Sequence, residues 1–433
     1  MDQMQKGTKA GALDPSFGDN GVVGLVSEGT AGSQSILPLP SGKLLYANND
    51  FFDSYSTLKL RRLNTNGFFD SSFGKNGLIV LPGITTAGRF SLFSYLDDRF
   101  LVKSMRVDDL GHGDIVLRKL DQNGQIDTTF GTDGVVNINP WRPTDKESLQ
   151  SPQVVEMKSE SRRKRFLILY EYQGGSVCVQ PDGKILVAHT GVPHYPDHFR
   201  DGMVFRLMPD GSLDKTFNEK GFLYVKLEGV DYDESMATSI AYQKDGKILV
   251  AGIYVNSNQT PTYLNSYVVR YKEDGQLDAD FNNWRAVIIA DSEFSQIEVG
   301  TISVRGSDGA VVVVGGAKKT FDTSFSDIPW LAVLTPSGSF NLLFNNGKPL
   351  FSKESPEWRM WQNCEWQEGS NSIIVAGGEV AARYLSSGLL DLSFDGKGWF
   401  ARIGSFKEMK VTKDQKLVLV GSAANPFLLR CLL

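Results

Sequence analysis

The sequence predicts an all-β repeat protein, and two observations carry that prediction. A nonapeptide recurs along the chain, as "LDPSFGDNG" (13–21), "FDSSFGKNG" (69–77), "IDTTFGTDG" (126–134), "LDKTFNEKG" (213–221) and "LDLSFDGKG" (390–398), with shortened copies at 277–282 and 340–345. Apolar runs of strand type, separated by glycine-containing turns, fill the intervals between the copies. Self-similarity at a period of roughly 50 to 60 residues indicates stacked supersecondary units rather than separate domains.

Each nonapeptide is predicted to be a capped turn. Its first polar side chain can accept a hydrogen bond from the backbone two residues on: Asp14, Asp70, Asp127, Asp214, Asp278, Asn341 and Asp391. A phenylalanine stands three residues later in every copy and is expected to be buried: Phe17, Phe73, Phe130, Phe217, Phe281, Phe344 and Phe394. The next residue is always Gly, Asn or Asp, the types that tolerate positive φ. We therefore expect these aspartates to be structural rather than catalytic.

Four strands per unit follow from the segments around each turn. Hairpins such as "VQPDGKILVA" (179–188) and "YQKDGKILVA" (242–251) place Asp-Gly between apolar runs. A third run follows and carries a basic residue, which we expect to pair with a neighbouring turn: Arg62, Lys119, Arg206, Arg270, Arg383 and Arg430. A fourth run comes after the nonapeptide.

Seven such units predict a seven-bladed β-propeller of four-stranded antiparallel blades, because one small sheet cannot bury both of its faces. Residues 1–433 are expected to form this single domain. Residues 21–26 would complete the last blade and so close it with the N-terminal strand. Residues 1–10 are expected to be a flexible tail, and residues 139–175 an insertion between the second and third blades.

The order of turn, strand and Asp-x-Ser/Thr-Phe-Gly element in "VQPDGKILVA…MVFRLMPDGSLDKTFNEKGFLYV" closely resembles the bacterial delta-60 repeat, a family of β-propeller proteins. The resemblance extends from about Gly11 to Leu433. It implies the propeller fold and no single activity. The chain departs from the pattern at Arg285, Asn341 and Val333.

Composition narrows the classes of partner. Lys and Arg total 45 and Asp and Glu total 50, a net charge of −5, so we expect neither nucleic-acid binding nor membrane insertion. Three widely spaced cysteines (Cys178, Cys364 and Cys431) give no disulfide framework. The sequence contains neither a Sec-type signal peptide nor a transmembrane run, which predicts a cytoplasmic protein or export by another route.

The longest variable connections belong to the second and third blades, where we expect ligand binding. Aromatic and basic residues in these connections suit a protein or glycan partner: Trp141, Arg162, Arg163, Arg165, Tyr195 and Phe199. All four histidines of the chain also fall there.

One group of residues has the ligand types of a divalent metal site: His189, His194, Asp197, His198 and Asp201. The competing interpretations of these histidines are a solvated loop and a pH-sensitive contact. Acidic residues in 228–235 are a further possible cation site without EF-hand spacing.

Three functions stay open at this point. The leading one is a non-catalytic binding module that recognises a protein or glycan through the loops of blades two and three. The second is a metal-dependent hydrolase or lyase that uses the His/Asp group at 189–201. The third is a structural propeller in a larger secreted or injected assembly. The sequence contains no nucleophile elbow, phosphate-binding glycine loop or His-Glu-x-x-His motif, which favours the first.

Overall fold

The computed structural model describes residues 9–25, 30–52, 55–81, 90–107, 113–140, 176–193, 200–256, 263–319, 328–352 and 359–433. Within these ranges the regular structure is β, apart from three short 3-10 turns at Phe217–Glu219, Asn282–Trp284 and Asn345–Gly347. None of the helical segments in the described ranges has the length and apolarity to cross a membrane.

The first fourteen strands are β1 (Val22–Gly24), β2 (Thr30–Pro38), β3 (Leu44–Phe52), β4 (Tyr55–Leu63), β5 (Leu78–Leu81), β6 (Ser91–Ser94), β7 (Phe100–Val107), β8 (Gly113–Leu120), β9 (Val135–Ile138), β10 (Val177–Val179), β11 (Ile185–Pro193), β12 (Arg200–Leu207), β13 (Phe222–Tyr224) and β14 (Glu234–Tyr242). The remaining strands are β15 (Ile248–Asn256), β16 (Tyr263–Tyr271), β17 (Val287–Ile289), β18 (Phe294–Val304), β19 (Val311–Lys319), β20 (Ile328–Leu334), β21 (Leu350–Phe351), β22 (Asn363–Gln367), β23 (Ser372–Gly377), β24 (Val380–Tyr384), β25 (Trp399–Ala401), β26 (Ser405–Val411), β27 (Lys416–Ser422) and β28 (Pro426–Leu432).

The strands form four-stranded antiparallel blades of the propeller type, but the described residues give five hydrogen-bonded sheets rather than the seven that the sequence predicts. Four sheets contain four strands each: β2–β5, β6–β9, β22–β25, and β26–β28 with β1. The fifth contains twelve strands, β10 to β21. Single parallel residue pairs, Arg200 with Glu234 and Leu264 with Gln296, join successive quartets of this sheet. The sequence pattern does not reveal such pairs, because they depend on how closely two strand ends approach.

The N-terminal strand completes the last quartet, as predicted. Strand β1 pairs antiparallel with β28, with Val22 opposite Leu429 and Gly24 opposite Phe427. Backbone bonds continue the pairing upstream, since the N–H of Asp14 donates to the carbonyl of Arg430 (2.8 Å). Residues from the two ends of the described chain therefore form one sheet.

The chain divides into two compact units, and one of the boundaries between them falls within β18. The first unit comprises Met1–Gly83, Gln122–Gln125 and Val299–Leu433, and the second comprises Ile84–Asp121 and Ile126–Glu298. In the first unit, one apolar core lies between the last quartet and β2–β5 and contains Ile36, Tyr46 and Val418. Two further cores lie on the two faces of β22–β25.

The second unit has the same kind of core between quartets. One cluster joins β6–β9 to β10–β13 and contains Leu117, Val187 and Phe205. Another joins β10–β13 to β14–β17 and contains Leu186, Val250 and Tyr267. In both units the apolar faces of neighbouring sheets cover each other, which is how sheets of four strands bury two faces.

The nonapeptide turns have the predicted geometry in all seven copies. The side-chain oxygen of the first residue accepts the N–H two residues on, at 3.0 Å from Asp14 to Ser16 and 3.0 Å from Asn341 to Leu343, with the other copies between 3.0 and 3.2 Å. The residue after each phenylalanine has positive φ, from 43° at Asn345 to 61° at Gly131. Each phenylalanine is at most 1% exposed.

These phenylalanines pack between one quartet and the next. Phe17 belongs to the core shared by the last quartet and β2–β5, and Phe217 to the core shared by β10–β13 and β14–β17. A cation also lies over six of these rings. The guanidinium carbon of Arg430 is 4.4 Å from the centroid of Phe17, and that of Arg206 is 4.6 Å from the centroid of Phe217. Cation–π contact therefore adds to the burial of the ring.

The basic residues of the third strands pair with the motif aspartates, as predicted. Arg62 Nε lies 2.8 Å from Asp70 Oδ2, and the same guanidinium donates from Nη1 to the carbonyl of Gln122 (2.6 Å) in the following turn. The equivalent pairs are Arg430 with Asp14 (2.9 Å), Lys119 with Asp127 (3.1 Å), Arg206 with Asp214 (2.8 Å), Arg270 with Asp278 (2.7 Å) and Arg383 with Asp391 (2.9 Å).

We predict that Asp70→Asn lowers the free energy of unfolding by about 3 kcal/mol at neutral pH, because it leaves the buried Arg62 guanidinium beside an uncharged amide. Hydrogen bonds from Lys43 and Ser72 hold the pKa of Asp70 well below its ordinary value. This stabilisation is therefore complete above the ordinary aspartate pKa of about 4 and is lost as the pH falls below it. Urea denaturation at neutral and acidic pH measures both effects.

The control for this prediction is Asp308→Asn. Asp308 pairs with Arg305 (2.6 Å), but half of its side chain is exposed, at 50%. Exposed pairs contribute at most about 1 kcal/mol. Equal losses in the two variants would contradict the view that the buried motif pair is the stronger of the two.

Candidate functional site

Most of the predicted site residues lie outside the described residues. These are Trp141, Arg162, Arg163, Arg165, His194, Tyr195, Asp197, His198 and Phe199. Two members of the predicted metal group are described, His189 and Asp201, and both lie on paired strands rather than in the loop (189–202) that the sequence suggests. The connection between these strands, 194–199, is shorter than expected because β11 continues to Pro193.

His189 lies inside β11, opposite Met203 of β12, and is only 3% exposed. A register shift separates it from Val192, which pairs with Asp201. A β-bulge of this kind bends the strand and changes the direction of the side chains that follow. His189 is thus part of the body of the sheet, one strand away from Asp201.

Asp201 forms the best-defined polar contact at this end of β12. The hydroxyl of Tyr232 donates to its Oδ1 at 3.1 Å, and Tyr232 is half-buried in the segment that precedes β14. The backbone beside it is fixed, since the N–H of Gly202 donates to Ser235 Oγ (3.1 Å). A Cβ at Gly202 would lie 2.5 Å from the backbone nitrogen of Ala237, so only glycine permits this approach of the two strands.

Electrostatics keep the proton of this pair on the Tyr232 hydroxyl. Burial raises the pKa of Tyr232, and the negative charge of Asp201 raises it further. The phenol therefore keeps its proton at neutral pH and donates it to the carboxylate. The pair therefore places a carboxylate beside a half-buried aromatic ring.

The acidic stretch 228–235 is held against the end of β15. Asn256 Nδ2 donates to the carbonyl of Asp231 (2.9 Å), and the N–H of Asp233 donates to the carbonyl of Val255 (2.8 Å). In the described part of the chain, no three His, Cys, Asp or Glu side chains come together as a metal site. The metal hypothesis therefore depends on His194, Asp197 and His198, which lie outside the described residues.

A second polar site, which the sequence reading missed, lies in the first unit on the edge strands β2, β22 and β26. Glu408 Oε2 accepts hydrogen bonds from Ser35 Oγ (2.6 Å) and from the N–H of Ile36 (2.9 Å). Its Oε1 lies 3.4 Å from Lys410 Nζ. Glu365 Oε2 accepts the N–H of Val411 (2.8 Å). Each carboxylate thus bonds a backbone N–H of the next edge strand.

The charges of this site are coupled. Burial raises the pKa of Glu365, and Lys410 opposes that rise. Burial alone would lower the pKa of Lys410, but the carboxylates of Glu408 and Glu365 raise it. A sequence signal existed, because "NCEWQ" (363–367) and "EMKV" (408–411) alternate polar or charged with apolar residues in the first strand of a unit.

The arrangement of the strands defines the class of protein, which is an all-β propeller with four-stranded antiparallel blades. The family model described as "Domain of unknown function (DUF5122) beta-propeller" matches residues 39–73, 180–217 and 243–281, which together make up less than half of the chain. Each match ends at a motif phenylalanine, Phe73, Phe217 or Phe281. The match supports a β-propeller repeat family.

Solved structures resemble the chain at low identity. The polysaccharide lyase Uly1 has 11% identity and a TM-score of 0.48, over 100% of this chain and 93% of the other. Sqt1 from Chaetomium thermophilum has 11% identity and a TM-score of 0.48, over 93% and 96%. The alpha-L-arabinanase of Penicillium chrysogenum has 10% identity and a TM-score of 0.44, over 87% and 94%. No curated protein matches the sequence. Identities of this size carry no information about activity.

We predict that the stability of the wild type relative to Glu365→Gln increases as the pH is lowered from neutrality. A carboxyl group whose pKa is raised in the folded state binds its proton more tightly there, so protonation favours the folded protein. The gain should be complete below the ordinary glutamate pKa of about 4.3. Thermal unfolding of both proteins between neutral and acidic pH measures it, and a difference that falls with acidification would contradict the raised pKa.

Proposed function

We propose that the chain is a non-catalytic binding module of the delta-60 repeat type that recognises a protein or glycan through the connections of β6–β9 and β10–β13. On this proposal each quartet of the twelve-stranded sheet acts as one blade, which gives seven blades in a single domain. The observation that supports it best is the Asp201–Tyr232 pair, which lies beside the 194–199 connection.

The scaffold around this pair suits recognition. Strands β11 and β12 pair along most of their length, and their side chains enter the cores on both sides of the sheet. A ligand at the end of this hairpin would therefore meet groups whose positions are already fixed, which lowers the entropy cost of binding. Tyr195 and Phe199 follow within a few residues, and Trp141, Arg162, Arg163 and Arg165 belong to the 139–175 insertion.

A glycan is favoured by the chemistry of the pair. A carboxylate beside an aromatic ring can accept hydrogen bonds from sugar hydroxyls, while the ring contacts the apolar face of the sugar. A protein partner would use the same groups, with the basic run 161–165 meeting acidic side chains. We expect no nucleic-acid partner, since the net charge is −5.

We predict that the double variant Asp201→Asn/Tyr232→Phe binds its ligand at least about 10-fold more weakly than the wild type, because it removes one charged acceptor and one hydroxyl. A glycan array and a pull-down with the full chain identify the ligand, and calorimetry with that ligand measures the change. The control is Asp182→Asn, a carboxylate in the β10–β11 turn that bonds Lys184. Unchanged affinity in the double variant would place the binding surface elsewhere.

The alternative function, a metal-dependent hydrolase or lyase, uses His189 and Asp201 with His194, Asp197 and His198. The observation that favours it is that His189 and Asp201 lie on adjacent paired strands. Elemental analysis of the purified protein separates the two functions. Stoichiometric zinc or another divalent metal, lost in a His194→Ala/His198→Ala variant, would support the enzyme. A structural role in a larger secreted or injected assembly would instead appear as stable co-purification with other chains.

A further inference from the structure

The strands β12 and β14 meet at one parallel residue pair, and the same kind of junction recurs between β16 and β18. Counted from these pairs, Arg200 with Glu234 and Leu264 with Gln296, each position of one junction has a counterpart in the other. Both junctions lie in the second unit. Their comparison therefore separates what a junction of this type requires from what is particular to the one beside Asp201.

The contact between Asp201 and Tyr232 is particular to the first junction. The counterparts of these two residues are Asn265 and Phe294, and phenylalanine has no hydroxyl to donate. Asn265 Nδ2 donates instead to the hydroxyl of Tyr254 in its own sheet (3.5 Å). The parallel pair between β16 and β18 forms nonetheless. Joining two quartets therefore does not require a carboxylate bonded to a phenol.

The two junctions also differ in which strand supplies a buried hydroxyl. Between β16 and β18, Ser266 Oγ of the third strand donates to the carbonyl of Ile297 (2.9 Å). Between β12 and β14, the counterpart of that serine is Gly202 and the counterpart of that isoleucine is Ser235. Ser235 is 0% exposed. At this junction the hydroxyl therefore belongs to β14 and reaches the backbone of β12.

Ser235 closes a ring of three hydrogen bonds. Its Oγ accepts the N–H of Gly202 (3.1 Å) and donates to the carbonyl of Val225 (3.3 Å), and the N–H of Val225 donates to the carbonyl of Gly202 (2.6 Å). A Cβ at Gly202 would lie 2.5 Å from the backbone nitrogen of Ala237, whereas the counterpart position carries a Cβ. The ring and the glycine thus hold β12 close against β14 at the residue next to Asp201.

Tyr232 is held from the other side. Asn256 Nδ2 donates to the carbonyl of Asp231 (2.9 Å), and the N–H of Asp233 donates to a carbonyl near the end of β15 (2.8 Å). These bonds tie the segment that carries the phenol to β15 and leave the position of β12 unspecified. The 3.1 Å between the Tyr232 hydroxyl and Asp201 Oδ1 therefore depends on how β12 lies against β14.

We propose that Ser235 is a positioning residue, which keeps the Asp201 carboxylate within hydrogen-bond distance of the Tyr232 hydroxyl. It acts through the backbone of Gly202 rather than through either side chain of the pair. A buried hydroxyl with both its donor and its acceptor capacity used fixes one arrangement of the strands that it joins. The relevance of this position to ligand binding rests on the proposed function, but the geometry itself exists without a ligand.

The test measures the coupling between Asp201 and Tyr232 in the full chain without a ligand. Urea denaturation of the wild type, Asp201→Asn, Tyr232→Phe and the double variant gives this coupling as a factor in the unfolding equilibrium constant. We expect a factor of at least about 10, because the bond has a charged acceptor. With Ser235→Ala added to all four chains we expect at most about 2-fold, since Gly202 loses its acceptor and Asp201 moves away from the phenol.

The matched control is Ser266→Ala, which removes the counterpart hydroxyl and its bond to the carbonyl of Ile297. It should lower the stability of the chain as Ser235→Ala does, but leave the coupling between Asp201 and Tyr232 at its wild-type value. A coupling that survives Ser235→Ala overturns the proposal, because the serine would then support the fold without placing the pair. A coupling that Ser266→Ala removes equally also overturns it.

A milder variant covers the case in which Ser235→Ala does not fold. Ser235→Cys keeps a side chain of similar shape with a weaker acceptor, so the coupling should fall at least about 3-fold. Unchanged coupling in this variant would overturn the proposal. These outcomes are independent of the proposed function. Unchanged ligand affinity in Asp201→Asn/Tyr232→Phe would contradict that function alone, whereas a coupling insensitive to Ser235 contradicts this inference alone.

Discussion

The structure depends on one repeated contact, a phenylalanine held between two neighbouring sheets by the turn that carries it. The turn aims the ring inward because the residue after it adopts positive φ, as at Gly18 and Asn345. An arginine such as Arg430 then covers the ring of Phe17, and Asp14 neutralises that arginine. Local backbone chemistry thus determines how each sheet packs on the next, which no single sheet of four strands can achieve alone.

Features set by local chemistry were predictable from the sequence, and features set by distances between elements were not. The Asx bond of Asp14, the burial of Phe17 and the pairing of β1 follow from residue types at fixed spacing. The merging of three quartets into one sheet follows from single pairs such as Arg200 with Glu234, which no pattern announces. The extension of β11 to Pro193 was also missed, because proline and histidine in 189–196 suggest a loop.

The candidate sites show the same division. The sequence selected Asp201 by residue type, but its contact with Tyr232 joins segments 31 residues apart and needs the fold to form. Residue type alone suggested that His189 lies in a loop, but it is buried within β11, and that depends on where the strand ends. The site of Glu365, Glu408 and Lys410 was overlooked because the first strands lack a recurring motif, although their charges alternate with apolar residues.

The quartet β18–β21 separates what the fold requires from the charged pairs that most quartets carry in addition. Its turn keeps the hydrogen bond from the N–H of Leu343 to the side-chain oxygen of Asn341 and keeps Phe344 buried. The positions of the motif aspartate and of the basic third-strand residue hold the uncharged Asn341 and Val333. The charges are therefore dispensable when all of them are absent, whereas removing one partner of a complete set leaves a buried ion unpaired.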